Sequence, residues 1–293
     1  MQVSRALVLL VSAGFSAAVS AKTAVAPDGL LEQAYARAWK GADSVQYVPL
    51  RRGEREALEK LFVRLLQGER TAQIDTALRA LGWAMRTQAD GAVTWTVVAE
   101  ADTRREGRGL FAFSSHGRHA IQAPHVPTDA LTGQILLGYG RDALPRALAW
   151  NTVPRRTADM ARLDDTPLVA FSRAFAQVHP QEKILQLHGF DVANRRSGAG
   201  ATSSAIVSAG HRRPSPALVS AVTCMQKRID QRARLYGNDV HELGGTQNSV
   251  ARTLLASGHA GFIHVELDMP LRRSLVDDAA RRRVLLECLG GRS

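Results

Sequence analysis

The spacing of hydrophobic positions changes along the chain, and the change divides it. From residue 28 to about 87, Leu30, Leu31, Ala34 and Ala38 recur at helical spacing. Leu58, Leu61, Phe62 and Leu65 do the same, and Ile74, Leu78 and Leu81 follow ahead of Gly82. Apolar residues three and four apart share one helix face, so this stretch predicts a helical N-terminal segment that stops at a glycine. Beyond it the alternation becomes twofold. Trp83 to Thr87 and Val93 to Ala99 flank Ala89-Asp90-Gly91, a hairpin signal. Gly109 to Ser115 and Arg118 to Ala123 flank His116-Gly117, which reads as a second hairpin.

Thereafter helical patterns and short apolar runs alternate. The pattern predicts helices over 130–144, 166–177, 215–235, 246–257 and 274–289. It predicts strands over 147–152, 183–187, 205–208, 239–243 and 261–267. Strands alternating with helices imply an α/β fold with a mixed sheet covered on both faces. The Gly/Ser-rich stretch Ser197 to Ser204 reads as a flexible loop beyond a strand end, where sites form in such sheets, and so as a candidate lid.

At the N-terminus Arg5 precedes the small-apolar run Ala6 to Val19, and Val19-Ser20-Ala21 offers a small-residue cleavage site. That is the layout of a secretory signal peptide, and the run is shorter than the ~20 residues a membrane-spanning helix needs. The expected organisation is a signal peptide over 1–21, a helical segment over 22–87 and an α/β domain over 88–293. The mature protein is expected in the periplasm or outside the cell, without stable membrane insertion. No cysteine follows the signal to take a lipid. The two cysteines, Cys224 and Cys288, either pair in an oxidising compartment or remain buried thiols.

The net charge of +11 raises the question of nucleic acid. The arginines, however, are scattered as pairs such as Arg51-Arg52, Arg155-Arg156 and Arg272-Arg273, and aromatics make up only 5% of the chain. With no basic block and little stacking surface, the charge points to an anionic substrate or envelope surface instead.

Candidate chemistry gathers at strand ends. The run Ala120-Ile-Gln-Ala ends at Pro124, and His125 follows in a loop that returns through Asp129. Leu185-Gln-Leu-His188-Gly189 repeats the arrangement, with leucines for the core, a histidine at the end and a glycine that permits close backbone approach. Two imidazoles and a carboxylate leave a fourth position open, the pattern of a catalytic zinc. In the strand from Phe262, residues Phe262, His264 and Glu266 share one face, which puts Glu266 in place to take a proton from water. His116 and His119 read as hairpin residues, although with His125 they form a second candidate metal group. There is no Gly-x-Ser-x-Gly elbow, no phosphate-cradling loop with a lysine, no dinucleotide fingerprint and no His-Glu-x-x-His helix.

Five short motifs occur in a telling order: Pro124-His125, Asp159-Met160-Ala161 behind an arginine pair, Leu187-His188-Gly189, Gly244-Gly245-Thr246-Gln247-Asn248, and His264-Val265-Glu266 followed by Arg272. Over about residues 109–275 the chain resembles the N-formylglutamate amidohydrolases and, more remotely, the zinc carboxypeptidase-like superfamily. The resemblance implies an α/β/α sandwich around a mixed sheet, one zinc ion and amide hydrolysis. It implies metal histidines at His125 and His188, a proton-transferring glutamate at Glu266 and a carboxylate ligand at Asp129. Carboxypeptidase-like enzymes carry His-x-x-Glu, whereas here the spacing is one residue longer and the acid shorter, so Asp159 stands as the alternative ligand or as a partner of one.

Recognition of a carboxylate favours a guanidinium that binds it through two N–H groups, and Arg155, Arg156 and Arg272 lie near the expected strand ends. The sequence thus predicts an exported zinc-dependent hydrolase of an amide bond near a carboxylate. The substrate would be an N-acyl amino acid, a peptide or a poly-glutamate-like polymer. The alternatives are a non-catalytic envelope protein that binds an anionic polymer on the same fold, and a periplasmic serine hydrolase.

Overall fold

The computed structural model describes residues 29–90, 93–142 and 145–291. The expected signal peptide, 1–21, lies outside the described residues, as do residues 91–92, where part of the first hairpin signal falls. The elements run in the order α1 (Leu30–Trp39), α2 (Arg52–Leu66), α3 (Ala72–Ala80), β1 (Trp83–Asp90), β2 (Val93–Glu100), β3 (Leu110–Ser114), β4 (Ala120–Ala123), α4 (Thr132–Arg141), β5 (Ala147–Trp150), α5 (Pro167–Val178) and β6 (Ile184–Gly189). There follow α6 (Gly198–Ala201), β7 (Ala205–Ser208), α7 (Pro216–Arg228), β8 (Ala233–Leu235), α8 (Ser249–Ala256), β9 (Phe262–Leu267), α9 (Met269–Asp277) and α10 (Ala279–Gly290). Among the described residues no helix is long and apolar enough to cross a membrane.

Among the described residues nine strands form one mixed sheet in the order β1-β2-β3-β5-β4-β6-β9-β7-β8. Strands β5, β4, β6 and β9 run parallel in its middle; β3, β2 and β1 follow β5 in antiparallel pairs, and on the other side β7 is antiparallel to β9, with β8 parallel to β7 at the edge. Side chains alternate across a strand, so each face gathers its own core. Ile121, Leu185, Leu187, Ile263 and Val265 pack on one side against Ile135 of α4, Met225 of α7, Leu275 of α9 and Leu285 of α10. Ala120, Ile184 and Phe262 pack on the other side against Phe62 of α2, Phe171 and Phe175 of α5 and Leu254 of α8. The fold is therefore a three-layer α/β/α sandwich, as expected.

Several elements differ from the sequence reading. β3 and β4 are not a hairpin, because β5 lies between them, antiparallel to β3 and parallel to β4. The wholly apolar Ala147–Trp150 is buried on both faces and takes the interior place. The helix expected over 215–235 ends at Arg228, and its last residues instead form β8. No strand forms over 239–243; only an isolated bridge joins Tyr236 and Val240. The helix expected over 274–289 is two helices, divided at Asp278, whose side chain accepts from the Arg281 amide and starts α10.

The Gly/Ser-rich stretch is not an open loop. Glu242 accepts from the amides of Arg196 and Ser197 and from the Ser197 hydroxyl, which anchors the start of the short helix α6.

Cys224 and Cys288 form a disulfide with a Cα–Cα distance of 5.4 Å, tying α7 to α10. The bridge closes a loop with a sequence separation of 64, for which restriction of the unfolded chain gives about 4 kcal/mol. Denaturant unfolding of Cys224→Ser should therefore show a stability loss of about 2–4 kcal/mol. A loss below about 0.5 kcal/mol, the range of ordinary surface changes, would contradict it.

Candidate metal centre

On the α5/α8 side of the central strands, the inward positions turn from apolar to polar toward the C-terminal strand ends. Gln122 of β4, Gln186 of β6 and His264 of β9 are register neighbours, and one step further His188 pairs with Glu266. All five are buried. A one-residue slip would send these groups into the opposite, leucine-rich core, so the hydrophobic alternation itself holds them in place.

His125 follows β4, and the chain then turns through a cis Val126–Pro127 bond to Asp129. The Asp129 amide donates to the His125 carbonyl at 2.9 Å, and the Thr132 hydroxyl donates to the Asp129 carbonyl at 2.7 Å. The loop delivers three atoms to one point. His125 Nδ1 and His188 Nδ1 are 3.1 Å apart, and each is 3.3 Å from Asp129 Oδ2. All three residues are buried. Donors each ~2.1 Å from a shared ion would stand about 3.0–3.4 Å apart for ligand angles between octahedral and tetrahedral. The triangle has that size, and the triad can hold a metal ion.

The far nitrogens of both rings are engaged. His125 Nε2 donates to Asp159 Oδ1 at 2.8 Å, which leaves a lone pair on Nδ1 in the neutral ring. His188 Nε2 meets Gln186 Oε1 at 3.0 Å. Asp159 is thus the partner of His125 and not a member of the triangle. Its other oxygen accepts from Arg155 Nε at 3.2 Å, with Arg162 at 3.6 Å.

Electrostatics follow from burial and neighbours. Burial raises the Asp159 carboxyl, but His125 and Arg155 outweigh it and hold its pKa at about 2. Burial and His264 push His188 down to about 4. Burial lowers His125 too, but hydrogen bonds to the Asp129 and Asp159 carboxylates prevail and raise it. Asp129 and Glu266 are both held below the usual carboxylate range despite burial, Asp129 by His125 and His188 and Glu266 by His264 and His188. Both are therefore anions at neutral pH.

Glu266 lines a cavity of about 560 Å³ together with His125, His188, Asp159 and His264. Its Oε1 lies 3.2 Å from His264 Nε2. The loop Leu243 to Asn248 forms another wall, where Gly245 at φ +60° comes so close to the His264 ring that a Cβ would sit 2.8 Å from it. A second cavity, of about 230 Å³ between α1 and the β1–β2 hairpin, contains none of these groups.

The predicted arginines part company. Arg155 lines the large cavity, although it is bonded to Asp159. Arg156 does not line it; the side chain is exposed and paired with Asp43. Arg272 does not line it either. It is buried, and its guanidinium donates to the carbonyls of Ala130, Phe190 and Asp268. It straps the Asp129 loop to the segment after β6, and Gly189 makes room for it, since a Cβ there would lie 2.4 Å from Arg272 Nη1.

Two cavity arginines went unnoticed in the sequence. Arg162 reaches Asp159, and Arg196 has a guanidinium that pairs with no group among the described residues. The second candidate histidine group is split by β4. His119 lies at the strand's start, 3.2 Å from Glu182, and His116 bonds Ser115, both at the other end from His125.

No protein-family model matches the chain, and a search of curated proteins finds no match.

Arg272→Leu should lower stability by about 2–4 kcal/mol, because three backbone carbonyls, two of them buried, lose a charged donor, whereas Arg156→Ala should change it by less than about 0.5 kcal/mol. Urea unfolding of the two variants separates a strap from a solvated charge. Equal, small effects would contradict the assignment of Arg272.

Proposed function

We propose that the protein is a zinc-dependent hydrolase of an amide bond near a carboxylate, acting outside the cytoplasm. The observation that carries the reading is the buried triangle of His125 Nδ1, His188 Nδ1 and Asp129 Oδ2, with edges of 3.1, 3.3 and 3.3 Å. Two imidazoles and one carboxylate suit zinc, and three protein ligands leave a coordination position open. When bound, zinc supplies Lewis acidity that brings the pKa of water towards about 7 and polarises a carbonyl.

The chain's own groups do the rest. Glu266, a buried anion beside the triad, takes a proton from the attacking water and returns it to the leaving nitrogen. His264 holds that carboxylate in place and ionised. Asp159 orients His125 and favours its Nδ1 lone pair. Arg196, with Arg155 and Arg162 beside it, offers a carboxylate-binding rim, which favours N-acyl amino acids, peptides or poly-glutamate-like chains over neutral amides. The order of motifs supports kinship with the N-formylglutamate amidohydrolases. The disulfide and the N-terminal apolar run support export to the periplasm or beyond.

Purified protein should carry one zinc per chain by elemental analysis, and His188→Ala should lose both metal and chelator-sensitive amidase activity. Glu266→Gln should keep zinc while hydrolysis falls about 10²–10⁴-fold. Full activity in that variant would exclude Glu266 as the base. If binding of an anionic polymer survives in Glu266→Gln and wild type hydrolyses no amide, the protein is a binder on this fold instead.

Acid should release the metal. His125 has a pKa raised above the usual imidazole value, so protons compete for its Nδ1 as the pH falls through it. Zinc affinity should fall about tenfold per pH unit below that pKa, and titration calorimetry between pH 8 and pH 5 checks it. An affinity independent of pH would contradict His125 as a ligand.

A further inference from the structure

The triad needs lone pairs on both Nδ1 atoms, and for His188 a chain of buried amides decides the matter. Asn248 caps α8, and its Oδ1 accepts from the Ala251 amide at 3.2 Å. A backbone N–H can only donate, so the Asn248 side chain is held one way round. Its Nδ2 therefore faces Gln186 and must donate, and Gln186 must present Oε1 there. The same oxygen faces His188 Nε2 at 3.0 Å, so that nitrogen carries a hydrogen. Beyond, Gln186 Nε2 donates to Gln122 Oε1 at 3.0 Å, Gln122 Nε2 donates to Ser172 Oγ at 2.8 Å, and the Ser172 hydroxyl donates to the Leu168 carbonyl at 2.7 Å. Asn248, Gln186, Gln122 and Ser172 are all buried, where a mismatched donor or acceptor costs about 1–3 kcal/mol.

We infer that Asn248, acting through Gln186, is a positioning residue that fixes neutral His188 as the Nε2–H tautomer and so forms the metal site before any metal arrives. The inference rests on the metal-site reading above and adds what sets one of its ligands. The wiring can run either way in principle. If both glutamines turned over, every bond from Gln186 to Ser172 could re-form with the serine hydroxyl rotated. That turn would cost the Ser172–Leu168 bond and, at the other end, face Asn248 Nδ2, held by the Ala251 amide, with a second donor; both ends break the tie the same way. Asn248→Asp keeps the capping oxygen and the shape but replaces the NH₂ with an acceptor. Gln186 must then present its NH₂ to both Asp and His188, and His188 must move its hydrogen to Nδ1, where a metal would bind.

The test is ¹⁵N NMR of the histidine rings in the full chain, stripped of metal at pH 8, together with zinc affinity measured by competition with a chromogenic chelator. Wild type should show His188 protonated at Nε2 and bare at Nδ1. Asn248→Asp should reverse this and weaken zinc binding about 10–100-fold, while its metal-free melting temperature stays close to that of wild type. Gln186→Glu presents only oxygens to His188 and Asn248, so it should keep the Nε2–H form. A wild-type His188 protonated at Nδ1, or an Asn248→Asp protein with an unchanged tautomer, overturns the inference. If Asn248→Asp does not fold, the wild-type and Gln186→Glu spectra decide it. If wild type shows the expected tautomer but binds no zinc, the wiring stands and the hydrolase reading fails.

Discussion

Three electron-rich atoms meet at the buried foot of a cavity. His125 Nδ1, His188 Nδ1 and Asp129 Oδ2 lie within 3.1–3.3 Å of one another inside the fold. Such a group is stable only with a cation among its members, whether shared protons or a metal ion. Much of the surrounding architecture can be understood as what brings these atoms together. The parallel register of β4, β6 and β9 sets the strand ends side by side, and the Arg272 strap joins the two loops that leave them. Asp159 and Gln186 engage the outward nitrogens.

The setting also divides labour between carboxylates. Asp129 lies inside the triangle, Asp159 lies behind His125 among arginines, and Glu266 faces the cavity with His264 at its side. All three are held as anions by overlapping sets of neighbours: His125 and His188 for Asp129, His125 and Arg155 for Asp159, His264 and His188 for Glu266. The same functional group thus meets three different surroundings by placement alone.

The sequence made part of this legible. Strand ends bearing His125 and His188 stand out because a polar residue closes an apolar run, and the alternation Phe262, His264, Glu266 tells which face they share. The sandwich followed from alternating strands and helices. What could not be read was adjacency. The signal for a turn at His116-Gly117 is the same whether the next strand pairs directly or leaves room for β5. Nor does an arginine's spacing tell whether it faces a cavity or, like Arg272, holds buried carbonyls. Gln122 and Gln186 did carry a signal, since each places an amide where the strand pattern calls for an apolar side chain. Its meaning emerged only once Ser172 and Asn248, from distant segments, were seen against them.

The most direct measurement is anomalous diffraction at the zinc edge from crystals of the protein grown with equimolar zinc. One strong peak should lie within about 2.3 Å of His125 Nδ1, His188 Nδ1 and Asp129 Oδ2 together. A zinc peak elsewhere, with that triangle empty, would contradict the metal centre and the chemistry built upon it.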